Sequence, residues 1–151
     1  GQADTALAAG FMSQPYIFQS APKSLDRDTF KELCQAVTRL SDADAIATLA
    51  RAVVYSVGFA CTVCPTMPKK VLVTGGGRHN NTLMSWLAED LPCEVVPVEE
   101  VGLDGDMLEA QAFAFLAVRA ARGLPNSGPT TTGVTHPMTG GIISGTFKTE
   151  G

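Results

Sequence analysis

Residues 71–87 run VLVTGGGRHNNTLMSWL, and this stretch decides the fold class. Val71, Leu72 and Val73 form a short, β-branched-rich run suited to a buried strand. Gly75, Gly76 and Gly77 follow at once. From Asn80 onward, Leu83, Met84, Leu87 and Leu91 recur at three- and four-residue steps, which predicts a helix over 80–91. Strand, glycine turn, helix is the arrangement at which open α/β sheets meet their ligands. Glycine lacks a Cβ, so the backbone there can approach a flat or anionic group. The helix start beyond presents free N–H groups and a partial positive charge. No G-K-[ST] follows, so the turn is not a Walker loop. Asn80 occupies the place of the third glycine of a G-x-G-x-x-G. On pattern alone the turn is either a tight corner or a ligand contact.

The same alternation extends on both sides. Cys93–Val98 predicts a second strand, with Val95, Val96 and Val98 bracketed by Pro92 and Pro97. Asp106 is a candidate cap for a helix through Arg122, with Leu108, Ala112, Phe115 and Leu116 inward. Gly123 is its stop, and Pro125 bars extension. Upstream, Thr5–Met12 can form a short helix. Asp26 is a candidate cap for another through Leu40, with Phe30, Leu33, Cys34 and Val37 on one face. Ser41 starts the next, with Asp44 completing a capping-box variant. Ile46, Leu49, Val53, Val57 and Cys61 are its expected inward stripe, and Pro65 and Pro68 lie beyond its end. The stretch 126–141 should be loop, and 141–147 a last strand. No repeat and no dividing linker is visible, so residues 1–151 are expected to form a single domain.

Composition bounds the function. A chain of 151 residues with 45% apolar and only 17% charged residues can build a core and is unlike a disordered segment. The net charge is −4, and no basic cluster exceeds Lys69-Lys70, which argues against a nucleic-acid partner. No apolar run approaches the roughly 20 residues of a membrane span. The most apolar stretch, 45–64, contains Arg51 and reads as a buried helix. The N-terminus has no basic start before an apolar block, so no signal peptide is expected. Cys61 and Cys64 form a C-x-x-C. A zinc site needs a second ligand pair, and only His79 and His136 are at hand, far apart. A thioredoxin-like pair opens a helix, whereas this one closes a helix. The expectation is free thiols packed as small apolar groups, in a reducing cytoplasm, with no metal site.

VLVTGGGRHNNTLMSWL resembles the C-terminal-lobe nucleotide motif of sugar kinases in the superfamily of actin, sugar kinases and heat-shock ATPases. Within it, the chain is most similar to the anhydro-N-acetylmuramic acid kinases. APKSLDRDTF, residues 21–30, resembles that family's P-P-K-S-T-G-R-E-x-F. LPCEVVPVEEVGLDGDMLEAQAFAFLAVRAARGLP, residues 91–125, resembles its strand, turn and helix with an E-A-x-A-F-A core. The ending THPMTGGIISGTF departs from the family pattern.

The resemblance implies an α/β fold: the C-terminal lobe of an actin-like ATPase (ribonuclease H-like) fold, an incomplete sheet packed with several long helices. Gly75, Gly76, Gly77 and Asn80 match the turn that packs against the nucleoside of ATP. Glu109 matches a carboxylate that reaches the sugar, the favoured role, although three residues after Asp106 it could simply complete a capping box. Lys23 and Ser24 match a motif whose task the residues do not disclose. Lys23 either balances phosphate or sits at the surface, and Leu25 and Asp26 replace the family's Thr-Gly. The family's phosphate loop and its general-base aspartate have no counterpart in these residues, so no catalytic residue is expected here. The intact enzyme would use ATP and Mg²⁺ to open a 1,6-anhydro sugar with phosphorylation at O6. This portion, expected to be inactive alone, would pair with the missing N-terminal part or with a second copy. A rival reading is a non-catalytic nucleotide- or sugar-binding module acting with a partner chain. A folded remnant that binds nothing is a third.

Overall fold

The computed structural model describes residues 1–26 and 30–145. They divide into two units, Gly1–Gln19 with Leu25–Leu108, and Ser20–Ser24 with the segment from Glu109 onward.

Local chemistry sets the helices of the first unit. α1, Thr5–Phe11, starts where the Asp4 carboxylate accepts the Leu7 N–H at 2.9 Å. α2 spans Lys31–Val37, shorter than the sequence predicts. The first turn expected after Asp26 falls at 27–29, outside the described residues. α3, Asp42–Thr62, has Ser41 as its cap, whose hydroxyl accepts the Asp44 N–H and donates to the Asp44 carboxylate at 2.8 Å. The helix stops three residues before Pro65, as the prolines require.

The inward stripe of α3 differs from expectation. Of that stripe, Cys61 is buried and Leu49 and Val57 pack on the core as expected, whereas Ile46 is 63% exposed and Val53 is also exposed, and Ala47, Thr48, Ala52 and Val54 are buried instead. The reason is that α3 is gripped on two sides. Small residues let α1 and α2 come close on one: Ala52 packs with Ala8, Phe11, Ile17, Leu33 and Val37. The buried Thr48 hydroxyl there accepts the Asp4 N–H at 2.9 Å and donates to the Asp44 carbonyl at 2.7 Å. On the other side, Val54 and Cys61 meet Leu87 and Leu91 of α4, Asn81–Asp90, and its end. Arg51 joins the two helices, with its guanidinium 4.4 Å from the Trp86 ring centroid and 2.6 Å from Asp90. Contrary to the expectation that no apolar run approaches a span, α3 is, among the described residues, the one helix long and apolar enough to cross a bilayer, and 28% of that apolar stretch is buried inside the protein.

β1, Lys70–Val73, and β2, Glu94–Pro97, pair in parallel, Lys70 opposite Glu94 and Val73 opposite Pro97. Parallel neighbours need a crossover, and α4 supplies it. Val71, Val73 and Val95 pack on the α3–α4 core. The molecule is thus α/β, with a two-stranded parallel sheet and six α-helices among the described residues.

α5, Leu108–Ala121, belongs from Glu109 on to the second unit, which also holds the short α6, Pro129–Thr132. α5 ends as expected at Gly123, whose φ is +63°. Its N–H reaches the Ala120 carbonyl and the Leu124 N–H reaches that of Arg119, at 3.0 and 2.9 Å. Its packing does not follow the expectation: no residue of α5 is buried, and Phe113 and Phe115 are 64% and 62% exposed. Beyond it, Ser127 bridges Met138 antiparallel. Residues 141–145 form no strand, and the remainder of the expected last strand lies outside the described residues.

Candidate functional site: the glycine turn and its arginine strut

β1 delivers the chain into Gly75, which takes φ +69° and ψ −171°, a conformation reserved for glycine. Gly76–His79 then make a single 3₁₀ turn, and Asn80 caps α4 with its carboxamide oxygen accepting the Leu83 N–H at 3.1 Å. The three glycines differ in what the fold asks of them. Gly75 is needed for its φ. Gly77 has a Leu83 methyl 3.6 Å from where a Cβ would stand, an ordinary contact. Gly76 has no positive φ and nothing within 4 Å of such a Cβ. The turn is therefore open on that side, with exposed Gly76 and Asn80 at its surface.

The opposite side is filled by Arg78, a residue that pattern reasoning passed over. Its side chain is only 4% exposed. Nε donates to Glu99 Oε1 at 2.8 Å, and Nη1 donates to the Gly75 carbonyl at 2.8 Å and meets Asp106 Oδ1 at 2.8 Å. Gly105 lies against it. A Cβ there would collide with Arg78 Nε and stand 2.7 Å from Cζ and 2.8 Å from Cδ. The Gly105 carbonyl accepts the Gly75 N–H at 3.0 Å and the Thr74 hydroxyl at 3.2 Å, and its N–H donates to Glu99 at 3.2 Å. Segment 98–107 thus braces the turn from behind.

The electrostatics follow. The bond from Arg78 holds the Asp106 carboxyl below its ordinary value, with His79, 3.7 Å away, adding to the effect. Glu99 is lowered too, first by its own backbone N–H, then by Arg78 and the Gly105 N–H. Arg78 is held more firmly charged than a free guanidinium, chiefly by Asp106. A cation neutralised by two carboxylates is not available to a ligand's phosphates.

This changes the reading of Asp106. It does not cap α5. In the turn that leads into α5 it is the Asp104 carboxylate that accepts the Asp106 and Met107 N–H groups, at 3.0 and 3.2 Å. Asp106 is instead committed to Arg78. Glu109 is exposed in the first turn of α5, and Lys23 and Ser24 belong with it to the second unit. His136 is exposed, its Nδ1 3.0 Å from the Thr135 hydroxyl. The structure brings together Gly75, Gly76, Gly77 and Asn80 on one turn. The signal for the strut was Arg78 inside the glycine motif with Glu99 and Asp106 downstream, but separations of 21 and 28 residues carry no periodicity.

The sequence profile described as anhydro-N-acetylmuramic acid kinase matches residues 1–145. The chain belongs to this family. An anhydro-N-acetylmuramic acid kinase of Ruegeria sp. is 58% identical over 134 residues, 89% of this chain and 36% of its own length. Those of Roseobacter denitrificans and Cereibacter sphaeroides are 55% and 54% identical, over 88% and 95% of this chain. The chain spans 36%, 35% and 39% of these three curated relatives.

Proposed function

We propose that these residues form part of the C-terminal lobe of an actin-like, ATP-dependent anhydro-N-acetylmuramic acid kinase, and that the Gly75–Gly77 turn with Asn80 receives the nucleoside of ATP. The observation that carries this is Gly76: folding demands no glycine there, yet the space above it is open, as a flat ligand seated on the backbone needs. The names of the relatives supply the substrate class. In the complete kinase, water would add to the anomeric carbon, giving up its proton to a base outside these residues, as the bond from that carbon to O6 breaks, and O6 would take the γ-phosphoryl group with release of ADP. ATP supplies that group when bound. Glu109 is assigned to the sugar. Mg²⁺ would ride on the phosphates and water, and among the described residues no group of three His, Cys, Asp or Glu side chains is arranged to hold a metal ion.

In-line transfer needs phosphates, metal and nucleophile held together. The chain alone would therefore be inactive. The exposed Phe113, Phe115 and Val118 of α5 suit packing against the rest of the kinase or a second copy. The four free thiols suit a reducing cytoplasm, where ATP is plentiful.

The test is steady-state kinetics of the complete protein. Gly76→Val should raise KM for ATP about tenfold or more by filling the open space. Glu109→Ala should lower kcat/KM for the anhydro sugar by about a hundredfold. Wild-type constants in either variant would remove that assignment.

A further inference from the structure

We propose that Arg78 is the positioning residue of the nucleotide turn, clamping the Gly75 carbonyl, Glu99 and Asp106 so that the turn is held open and rigid toward its ligand. The proposal rests on the nucleotide reading above. It comes from geometry inside the first unit. Arg78 sits next to the glycines whose shape it controls, and its Nε and Nη1 donors are used inward.

Three features make the clamp more than a surface ion pair. First, one guanidinium bonds both ends of a closed circuit: Arg78 holds Gly75 and Glu99, Glu99 holds the Gly105 N–H, and the Gly105 carbonyl holds the Gly75 N–H. Second, the guanidinium is buried while its carboxylates keep contact with water, so neither anion is stranded. Third, Gly105 is buried and leaves room for Arg78 that no other residue would. A turn with three consecutive glycines would otherwise lose much conformational entropy on ordering. The clamp meets that cost before ligand arrives, which is how a preorganised site gains affinity.

A lysine cannot replace the clamp fully. It is a point charge with no planar fork, so it can keep one partner but not the arrangement of Nε on Glu99 and Nη1 on Asp106.

The experiment uses the complete kinase, with Arg78→Met, Arg78→Lys, Asp106→Asn and Gly76→Val. The first readout is hydrogen exchange at the Gly75 amide without nucleotide, which does not depend on what the turn binds. Arg78→Met should speed it about tenfold or more, and Arg78→Lys less. The second is kinetics. Arg78→Met should raise KM for ATP about tenfold, with KM for the sugar within about twofold and a partial return in Arg78→Lys. Should Arg78→Met fail to fold, Asp106→Asn, changed at an exposed carboxylate, should show the same two effects at about two- to fivefold. Unchanged exchange at Gly75 in these variants overturns the clamp. Faster exchange with an unmoved KM for ATP overturns positioning, and so does an equal rise in both Michaelis constants. If Gly76→Val leaves KM for ATP unmoved while exchange responds, the nucleotide reading fails and the clamp remains as a feature of the turn.

Discussion

Replacing Gly105 by alanine adds one methyl group where no methyl fits. The new Cβ would lie 2.7 Å from Arg78 Cζ and 2.8 Å from Cδ, inside the distance real Cβ atoms keep. The neighbour that must yield is a guanidinium fastened to Glu99, Asp106 and Gly75, not a free side-chain end. Overpacking of this kind costs about 1–3 kcal/mol. With a urea dependence of about 2 kcal/mol per molar, a cost of about 2 kcal/mol moves the unfolding midpoint down by about 1 M. Urea titration of this chain followed by Trp86 fluorescence is the assay, because Trp86 is its single tryptophan and packs on the α3–α4 core. Gly76→Ala is the control, and its midpoint should hold or rise, since the methyl meets open space at an ordinary φ. The decisive arm is the double variant. In an Arg78→Ala background the three atoms nearest the new methyl at 105 are gone, so its cost should largely vanish, a coupling of about 1 kcal/mol or more. Equal costs in both backgrounds would refute the reasoning.

Two further outcomes use the same titration. Leu87→Ala, at a 3% exposed position between α3 and α4, should cost about 2–5 kcal/mol, whereas Phe113→Ala on exposed α5 should stay within about 0.5 kcal/mol. Acid should also loosen the fold in a defined window. Glu99 and Asp106 titrate lower in the folded chain than their ordinary values of 4.5 and 3.8. Their stabilisation is complete above those ordinary values and is lost as pH falls through the folded-state ones. Stability should decline below about pH 4.5, and Arg78→Met should flatten that decline, as stability measured from pH 3 to pH 7 would show.

Much of the fold was legible because its signals are local. Ser41 with Asp44, Gly123 after α5 and the prolines after α3 each act within a few residues, and each appears where expected. The two valine-rich runs also became strands, joined by α4. The packing was less legible. Periodicity assumes one apolar face per helix, but α3 serves two neighbours, so small Ala47, Thr48 and Ala52 go inward while Ile46 and Val53 face out. For α5 the pattern named inward residues, yet the helix is apolar around most of its surface and no residue on it is buried.

The site was half legible for a related reason. A run of glycines announces that backbone must be approached or turned, but not which glycine does which. The structure separates the demands: Gly75 turns, Gly105 makes room for Arg78, and Gly76 does neither. An arginine beside such a run invites assignment to a ligand's phosphates, since charge alone favours that. Burial reverses the inference. Once Arg78 is enclosed by Glu99, Asp106 and the Gly75 carbonyl, its charge is spent on the protein, and any affinity it lends must come through the shape of the turn. A shape effect and a charge effect respond differently to salt. If Arg78 acts as argued, raising ionic strength should leave the ratio of KM for ATP between Arg78→Met and wild type nearly constant, because a buried pair is screened far less than an exposed one.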